Sequence, residues 1–168
     1  DTDRIQHLFG DCIKNKLTLL PPDIHESEYR FVPVSDTQIR YGLGGIRGTG
    51  EAAIEHILHV RASGAFESFF DFCCRIDHKK VNKKTIESLI KCGAFDGMGA
   101  GRKAMIDNLE SFINRSKRSQ EEASRGQGNL FAALGADVEV SALTSPNYIN
   151  GMADEFPERE MQEMEYQL

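Results

Sequence analysis

The chain has 168 residues, 40% of them hydrophobic, a mean hydropathy of −0.41 and a formal net charge of −6. Such a length buries one ordinary core or two very small ones, and no run approaches the roughly 18 apolar residues of a membrane span. The start, Asp1-Thr2-Asp3-Arg4, lacks the basic lead and apolar stretch of a secretory signal. With no initiator Met, the chain reads as a piece of a longer protein.

The four cysteines, Cys12, Cys73, Cys74 and Cys92, form neither a CxxC pair nor a disulfide-framework spacing, which points to a reducing compartment. Cys12, Cys74 and Cys92 have apolar neighbours and read as small buried hydrophobes. His56 and His59, at i and i+3, supply half a metal site at most. With no further ligand at matching spacing, a bland surface role is the better reading.

Residues 135–168 hold eight acids and one base, Arg159, so residues 1–134 have a net charge of +1. An acidic tail therefore masks a near-neutral body with local basic clusters. That body is compatible with a polyanionic partner without demanding one.

In chain order, Ile5, Leu8, Phe9, Cys12 and Ile13 predict a helix over 4–17, and Pro21-Pro22 forbids its continuation. Two short alternating runs, 29–34 and 38–41, around Ser35-Asp36-Thr37 predict a β-hairpin. A lone hairpin is marginal in water, so it should lie against helices. Ala53, Ile54, Ile57, Leu58 and Arg61 mark the next helix, closed near Ser63-Gly64. Phe66, Phe69, Phe70 and Cys73 mark a short connecting helix. Asn82 caps a third, with Ile86, Leu89 and Ile90 on its apolar face. A fourth runs from about Gly101, with Met105, Ile106, Leu109, Phe112 and Ile113 inward. After Asn114 it turns polar and is expected to be exposed on all sides. Residues 135–157 have loop composition, and 158–168 begin a further helix.

Two glycine-rich turns carry the chemistry. The first is Gly42-Leu43-Gly44-Gly45-Ile46-Arg47-Gly48-Thr49-Gly50, running into Glu51-Ala52-Ala53-Ile54. An apolar residue, spaced glycines and a helix with small residues in its first turn form the helix–hairpin–helix pattern. Glycine permits positive φ and close backbone approach, and free N–H groups at the helix start form an anion nest. Such a turn can hold a DNA phosphate, here through Gly48, Thr49 and Gly50, without reading a base, and Arg47 would add charge there. The alternative is that these glycines merely cap helices. A dinucleotide-binding reading fits less well, because the spacing is not GxGxxG and no βαβ alternation follows.

A second turn, Cys92-Gly93-Ala94-Phe95-Asp96-Gly97-Met98-Gly99-Ala100-Gly101-Arg102, repeats helix, glycine turn and helix, and adds Gly97, Gly99, Gly101 and Arg102 as candidate contacts. Two such units can pair across a linking helix, each meeting one strand's backbone at the minor groove. Between them Lys79, Lys80, Lys83 and Lys84 put four lysines in six positions. Alone, such a run is usually a solvated face; beside two nests it becomes a candidate phosphate contact.

Leu19-Leu20-Pro21-Pro22-Asp23-Ile24, Ile39-Arg40-Tyr41-Gly42-Leu43, Ile46-Arg47-Gly48-Thr49-Gly50, Phe69-Phe70-Asp71-Phe72 and Leu89-Ile90-Lys91-Cys92-Gly93-Ala94-Phe95-Asp96 occur in an order that resembles the C-family replicative polymerases. More narrowly, they resemble the alpha subunit of bacterial DNA polymerase III over about residues 4–168. The resemblance implies a mainly α fold: the end of the fingers over 1–28, a tandem helix–hairpin–helix DNA-binding domain with a small β-hairpin over 29–114, and an extended helix, clamp-binding segment and flexible acidic linker over 115–168. It implies a cytoplasmic bacterial DNA-directed DNA polymerase as parent, using Mg2+ held by aspartates upstream. No acidic pair here matches those aspartates, so no catalytic residue, metal site or cofactor is expected within this stretch.

Gly126-Gln127-Gly128-Asn129-Leu130-Phe131 resembles the family's internal sliding-clamp motif. Gln127 would hydrogen-bond the clamp (the beta subunit), and Leu130 and Phe131 would fill its apolar pocket. Gly128 departs from the pattern, where a larger residue is common. Double-stranded DNA, the clamp and other replicase subunits are thus the expected partners, and a membrane is not. A stand-alone helix–hairpin–helix adaptor of DNA repair or recombination is the alternative, as is a linking module with idle hairpins. The Leu19-Leu20-Pro21-Pro22-Asp23 and Gln127 strings have no purpose in an adaptor.

Overall fold

The computed structural model describes residues 7, 10–12 and 14–124. The helix expected over 4–17 falls partly outside these, although His7, Gly10, Asp11, Cys12 and Lys14 are helical. Its end is closed by backbone bonding: Leu17 N–H reaches Cys12 O at 2.8 Å while Lys16 turns left-handed at φ 56°. Helices end readily on such a residue, here without the usual glycine.

The chain then straightens into β1, Thr18–Leu20, a strand the periodicity does not predict. The expected hairpin is present as β2, Val32–Ser35, and β3, Gln38–Arg40. β3 lies centrally, antiparallel to β2 with a bulge between Pro33 and Ser35, and parallel to β1 with Leu19 opposite Ile39. The outer backbone edge of the hairpin is thereby paired rather than left open.

A 3-10 turn, Leu43–Gly45, leads to α1, Glu51–Ala62, then α2, Phe69–Arg75, α3, Lys83–Lys91, and α4, Arg102–Ser124. Side chains cap α2 and α3: Ser68 Oγ accepts from Asp71 N–H at 3.0 Å, and Asn82 Oδ1 from Thr85 N–H at 2.9 Å. Each such cap satisfies one orphan donor of the first turn. Arg75 closes the other end of α1, donating to Val60 O, Ala65 O and Gly64 O while its guanidinium lies 4.8 Å over the Phe66 ring.

The short α2 holds the molecule together. Phe69 and Phe72, at most 1% exposed, meet the Phe95 ring edge-on at 5.0 and 4.9 Å, and Phe69 meets Phe112 of α4 at 5.7 Å. Phe72 also contacts Phe66 at 5.1 Å. Aromatic pairs of this geometry contribute about 0.5–1.5 kcal/mol beyond the area they bury.

Two expectations need correction. Cys73 is the fully buried member of the vicinal pair and Cys74 only half-buried, because Cys73 shares the inward face of α2 with Phe69 and Phe72. Burial pushes the Cys74 thiol up to about 11 and that of Cys92 to about 12. The polar half of α4 is also not exposed on all sides. Ser116 is fully buried, Gln120 donates to the carbonyls of Cys74 and Ile76 at 2.7 and 2.8 Å, and Arg115 lies over Phe70. Gln120 thereby answers the open carbonyl end of α2, which a hydrophobic pattern does not register.

Phe95→Ala should therefore reach beyond its own turn, since it removes the ring that Phe69 and Phe72 of α2 both rest on. Loss of about 3–5 kcal/mol is expected for a buried Phe→Ala change, measured by equilibrium urea unfolding of the chain. A loss below about 1 kcal/mol would mean that this cluster does not govern stability.

Candidate nucleic-acid interface

The first glycine corner is strand, 3-10 turn and helix rather than two helices, because β3 occupies the chain up to Arg40. Its early amides are used internally: Leu43 N–H donates to Glu28 O, Gly44 to Tyr29 O, Gly45 to Gly42 O, and Ile46 to Leu43 O. Tyr41, 2% exposed, donates its hydroxyl to Gly45 O at 3.1 Å, and burial pushes its pKa up to about 12, so it stays a donor. Thr49 turns inward, its hydroxyl donating to Ile46 O at 2.7 Å.

Beyond this point the amides open outward. Among the described residues the N–H groups of Gly48, Gly50, Glu51 and Ala52 have no acceptor. Unlike α2 and α3, α1 has no side-chain cap, since its N-cap is Gly50. All four residues and Arg47 are exposed. Gly48 has φ +86°, and a Cβ there would stand 2.9 Å from Ser88 Oγ, so this corner rests directly on α3. Lys84 and Lys91 lie one turn to either side of Ser88 and share its stripe of the helix. Lys91 was not among the sequence-derived candidates, although its i+3 spacing from Ser88 is the signal that places it.

The lysine run is exposed throughout and divides in space. Lys84 flanks the first corner, Lys83 pairs with Glu110 of α4 at 3.2 Å, and Lys80 lies near His56 of α1. Lys79 follows a turn in which its own N–H donates to Asp77 Oδ1.

The second corner begins as a helix stop. Ala94 N–H reaches Leu89 O and Gly93 N–H reaches Ile90 O around a left-handed Gly93 at φ +84°, both bonds of a Schellman ending. The 3-10 turn Asp96–Met98 follows, closed by Gly99 at φ +74°. Among the described residues Gly97 and Gly101 N–H have no acceptor. Two carboxylates stand close by: Asp96 itself, and Asp23, whose Oδ2 would lie 3.4 Å from a Cβ on Gly97. Arg102 is not on the surface as expected. It is 4% exposed and holds Asp96 through Nε and Nη2 at 2.9 and 2.6 Å, a fork that a guanidinium forms and a surface position would not need.

The clamp-motif residues Gln127, Leu130 and Phe131 lie outside the described residues, as does the acidic tail. Among the described residues no three His, Cys, Asp or Glu side chains are grouped to hold a metal ion, and no helix is long and apolar enough to cross a membrane.

A helix–hairpin–helix motif model matches residues 16–105, more than half of the chain and both corners. This chain belongs to the helix–hairpin–helix motif family. It is similar to the DNA polymerase III subunit alpha of Neisseria meningitidis serogroup A, 42% identical over 144 residues that make up 85% of this chain. It is 38% identical over 152 residues, 88% of the chain, to the same subunit of Pasteurella multocida, and 36% identical over 140 residues, 83% of the chain, to that of Escherichia coli K12. The chain spans only 12–13% of the length of these relatives. The resemblance drawn from the motif strings is thus borne out for the stretch they occupy, as is the mainly helical fold with a small sheet.

Two histidines fasten the segment between the corners. His56 Nε2 accepts from Asp77 N–H at 2.9 Å, so His56 is not a bland surface residue; His78 Nε2 lies 2.9 Å from Cys73 O and 2.8 Å from Ser116 Oγ. Burial lowers both pKa values, Lys80 adding to the effect at His56 and Lys117 at His78. A lowered folded value favours the neutral ring, so this stabilisation is full above about pH 6.5 and is lost as pH falls through the folded values. Melting temperature should drop between pH 7 and pH 5, and His56→Gln with His78→Gln should flatten that part of the profile. An unchanged profile in the double variant would remove the histidines from the account.

Proposed function

We propose that this chain is a non-catalytic stretch of a bacterial replicative DNA polymerase that holds duplex backbone without reading sequence. The observation that carries the reading is the uncapped start of α1, where four outward N–H groups stand beside exposed Arg47 and the Lys84–Lys91 stripe. Main-chain donors and lysine charges suit phosphate oxygens and carry no base information. On this reading Arg47, Gly48, Gly50, Lys84 and Lys91 form the principal contact, Thr49 shapes it from within, and Lys79, Lys80 and Lys83 extend it. The second corner contributes Gly97, Gly99 and Gly101 more weakly, because the Asp23 carboxylate beside Gly97 opposes an incoming phosphate.

The longer protein would be a cytoplasmic DNA-directed DNA polymerase working with other replicase subunits. The Mg2+ implied for that polymerase would be held by aspartates upstream of this stretch. Gln127, Leu130 and Phe131 are proposed to engage the sliding clamp. The chain would then hold the duplex and tether the enzyme to its ring. A stand-alone repair or recombination adaptor is disfavoured by the polymerase relatives, which match across 83–88% of the chain.

Fluorescence anisotropy of the 168-residue chain with mixed-sequence duplex tests the grip. Affinity should fall steeply with salt, and Lys84→Ala should reduce the slope of log K against log salt by about 0.9, the loss of one neutralised phosphate. Salt-independent binding, or none at low salt, refutes the proposal. For the tether, replacing Gln127, Leu130 and Phe131 together with Ala should abolish clamp binding in a calorimetric titration while leaving the melting temperature unchanged. Undiminished clamp affinity would dismiss that segment.

A further inference from the structure

Arg102 sits where three pieces of the second corner converge. Besides its fork on Asp96, its Nη1 donates to Lys91 O at 3.0 Å, the carbonyl of the last residue of α3. One side chain therefore ties the end of α3, the Asp96–Met98 turn and the first residue of α4. A Cβ on Gly93 would stand 2.5 Å from Arg102 Nη2 and 2.8 Å from Asp96 Oδ2. The left-handed glycine is what leaves room for the pair. The Asp96 side chain is half exposed whereas Arg102 is 4% exposed, so the carboxylate faces the surface and the guanidinium holds it from beneath.

We propose that Arg102 is a positioning residue for the duplex contact: it fixes the angle between α3 and α4 and the outward set of the Gly97 and Gly101 amides, without touching phosphate itself. The inference rests on the reading of the glycine corners as backbone contacts. A planar fork that engages both carboxylate oxygens fixes direction as well as distance, which a lysine ammonium on its flexible stem cannot do. The bond to Lys91 O also makes the end of one helix the reference for the start of the next. The pair serves a second purpose in the same geometry, since an unanswered Asp96 carboxylate beside Gly97 would repel the ligand.

The test uses the 168-residue chain carrying Arg102→Lys, Arg102→Gln or Asp96→Asn, with Lys84→Ala as the contact control. Duplex affinity is measured across a salt series, and amide exchange is followed at Met98, Gly99 and Met105, whose N–H groups bond to Phe95 O, Asp96 O and Gly101 O. Each Arg102 variant should weaken binding by the folded chain about tenfold with the salt slope unchanged, because the misplaced amides are neutral and no cation that neutralises a phosphate is lost. Exchange at the three amides should quicken while that of Ile57 in α1 stays as it was. Asp96→Asn is the sharpest arm: removal of a negative charge alone would raise affinity, whereas loss of the fork lowers it.

A slope reduced by about 0.9 in both Arg102 variants, with exchange unaltered, would make Arg102 a phosphate ligand and overturn the proposal. Quickened exchange with unaltered affinity would leave it a strut with no bearing on binding, and also overturns it. If the unsubstituted chain fails to bind duplex, the contact reading falls and this one with it. If that chain binds and Asp96→Asn binds more tightly, only the positioning role falls.

Discussion

Backbone N–H groups at a helix start must find an acceptor, and the way each helix meets this demand organises the molecule. α2 and α3 meet it with Ser68 and Asn82, residues whose side chains bend back onto their own first turn. α1 begins at Gly50, which has no side chain to bend. Everything around that start is nonetheless firmly held. Leu43 is fully buried, Tyr41 bonds Gly45 O, Thr49 bonds Ile46 O, and Ser88 stands against Gly48. An unmet donor set on a rigid mount differs from one on a frayed end, because no ordering cost has to be met when an acceptor arrives.

Arginine and lysine divide the remaining work by their chemistry. Arg61 donates to Ile24 O and Ser27 O, Arg75 to the carbonyls that close α1, Arg40 to Pro21 O, and Arg102 to Lys91 O. Each uses several donors of one plane to join segments distant in sequence, with its side chain no more than 24% exposed. The lysines of the 79–84 run stay outside as point charges on mobile stems. A contact built from such charges tolerates translation of the ligand past it, which a network of bidentate forks would resist.

Local pattern was legible where local physics decides. The apolar spacing of Ala53, Ile54 and Ile57 gave α1, Asn82 announced α3 as its cap, and the alternation around Ser35-Asp36-Thr37 gave β2 and β3. β1 escaped because three residues carry almost no periodicity and their pairing with Gln38, Ile39 and Arg40 spans some twenty positions. The burial of Arg102 escaped for a related reason. Its partner Asp96 is six residues away across a turn, a spacing that matches no helix face, so the pair appears only once Gly93 has folded the chain back. The docked half of α4 shows the same limit, since Ser116 and Gln120 read as surface residues until the His78 ring and the carbonyls of Cys74 and Ile76 are set near them. For the candidate site, the glycine corners were visible in sequence, but which of them is open was not.

The two corners thus resemble each other in sequence more than in electrostatics. Both turn on left-handed glycines and both leave amides outward, yet the second is pinned from outside by the loop after Pro22. Ile24 N–H donates to Ala94 O at 2.8 Å, and Asp23, whose Oδ1 accepts from His25 N–H and Glu26 N–H, directs its other oxygen toward Gly97. That loop is in turn fixed by Ser27, fully buried between Asp23 N–H and Tyr41 O, and Tyr41 leads directly into the first corner. A single buried hydroxyl therefore links the placement of the carboxylate that burdens the second corner to the strand end that sets up the first. The asymmetry between the corners follows from this linkage: the Asp23 loop cannot brace the second corner without bringing its charge there. Arg47 and the Lys84–Lys91 stripe, by contrast, lie at the corner that has no such brace, where the helix start is open.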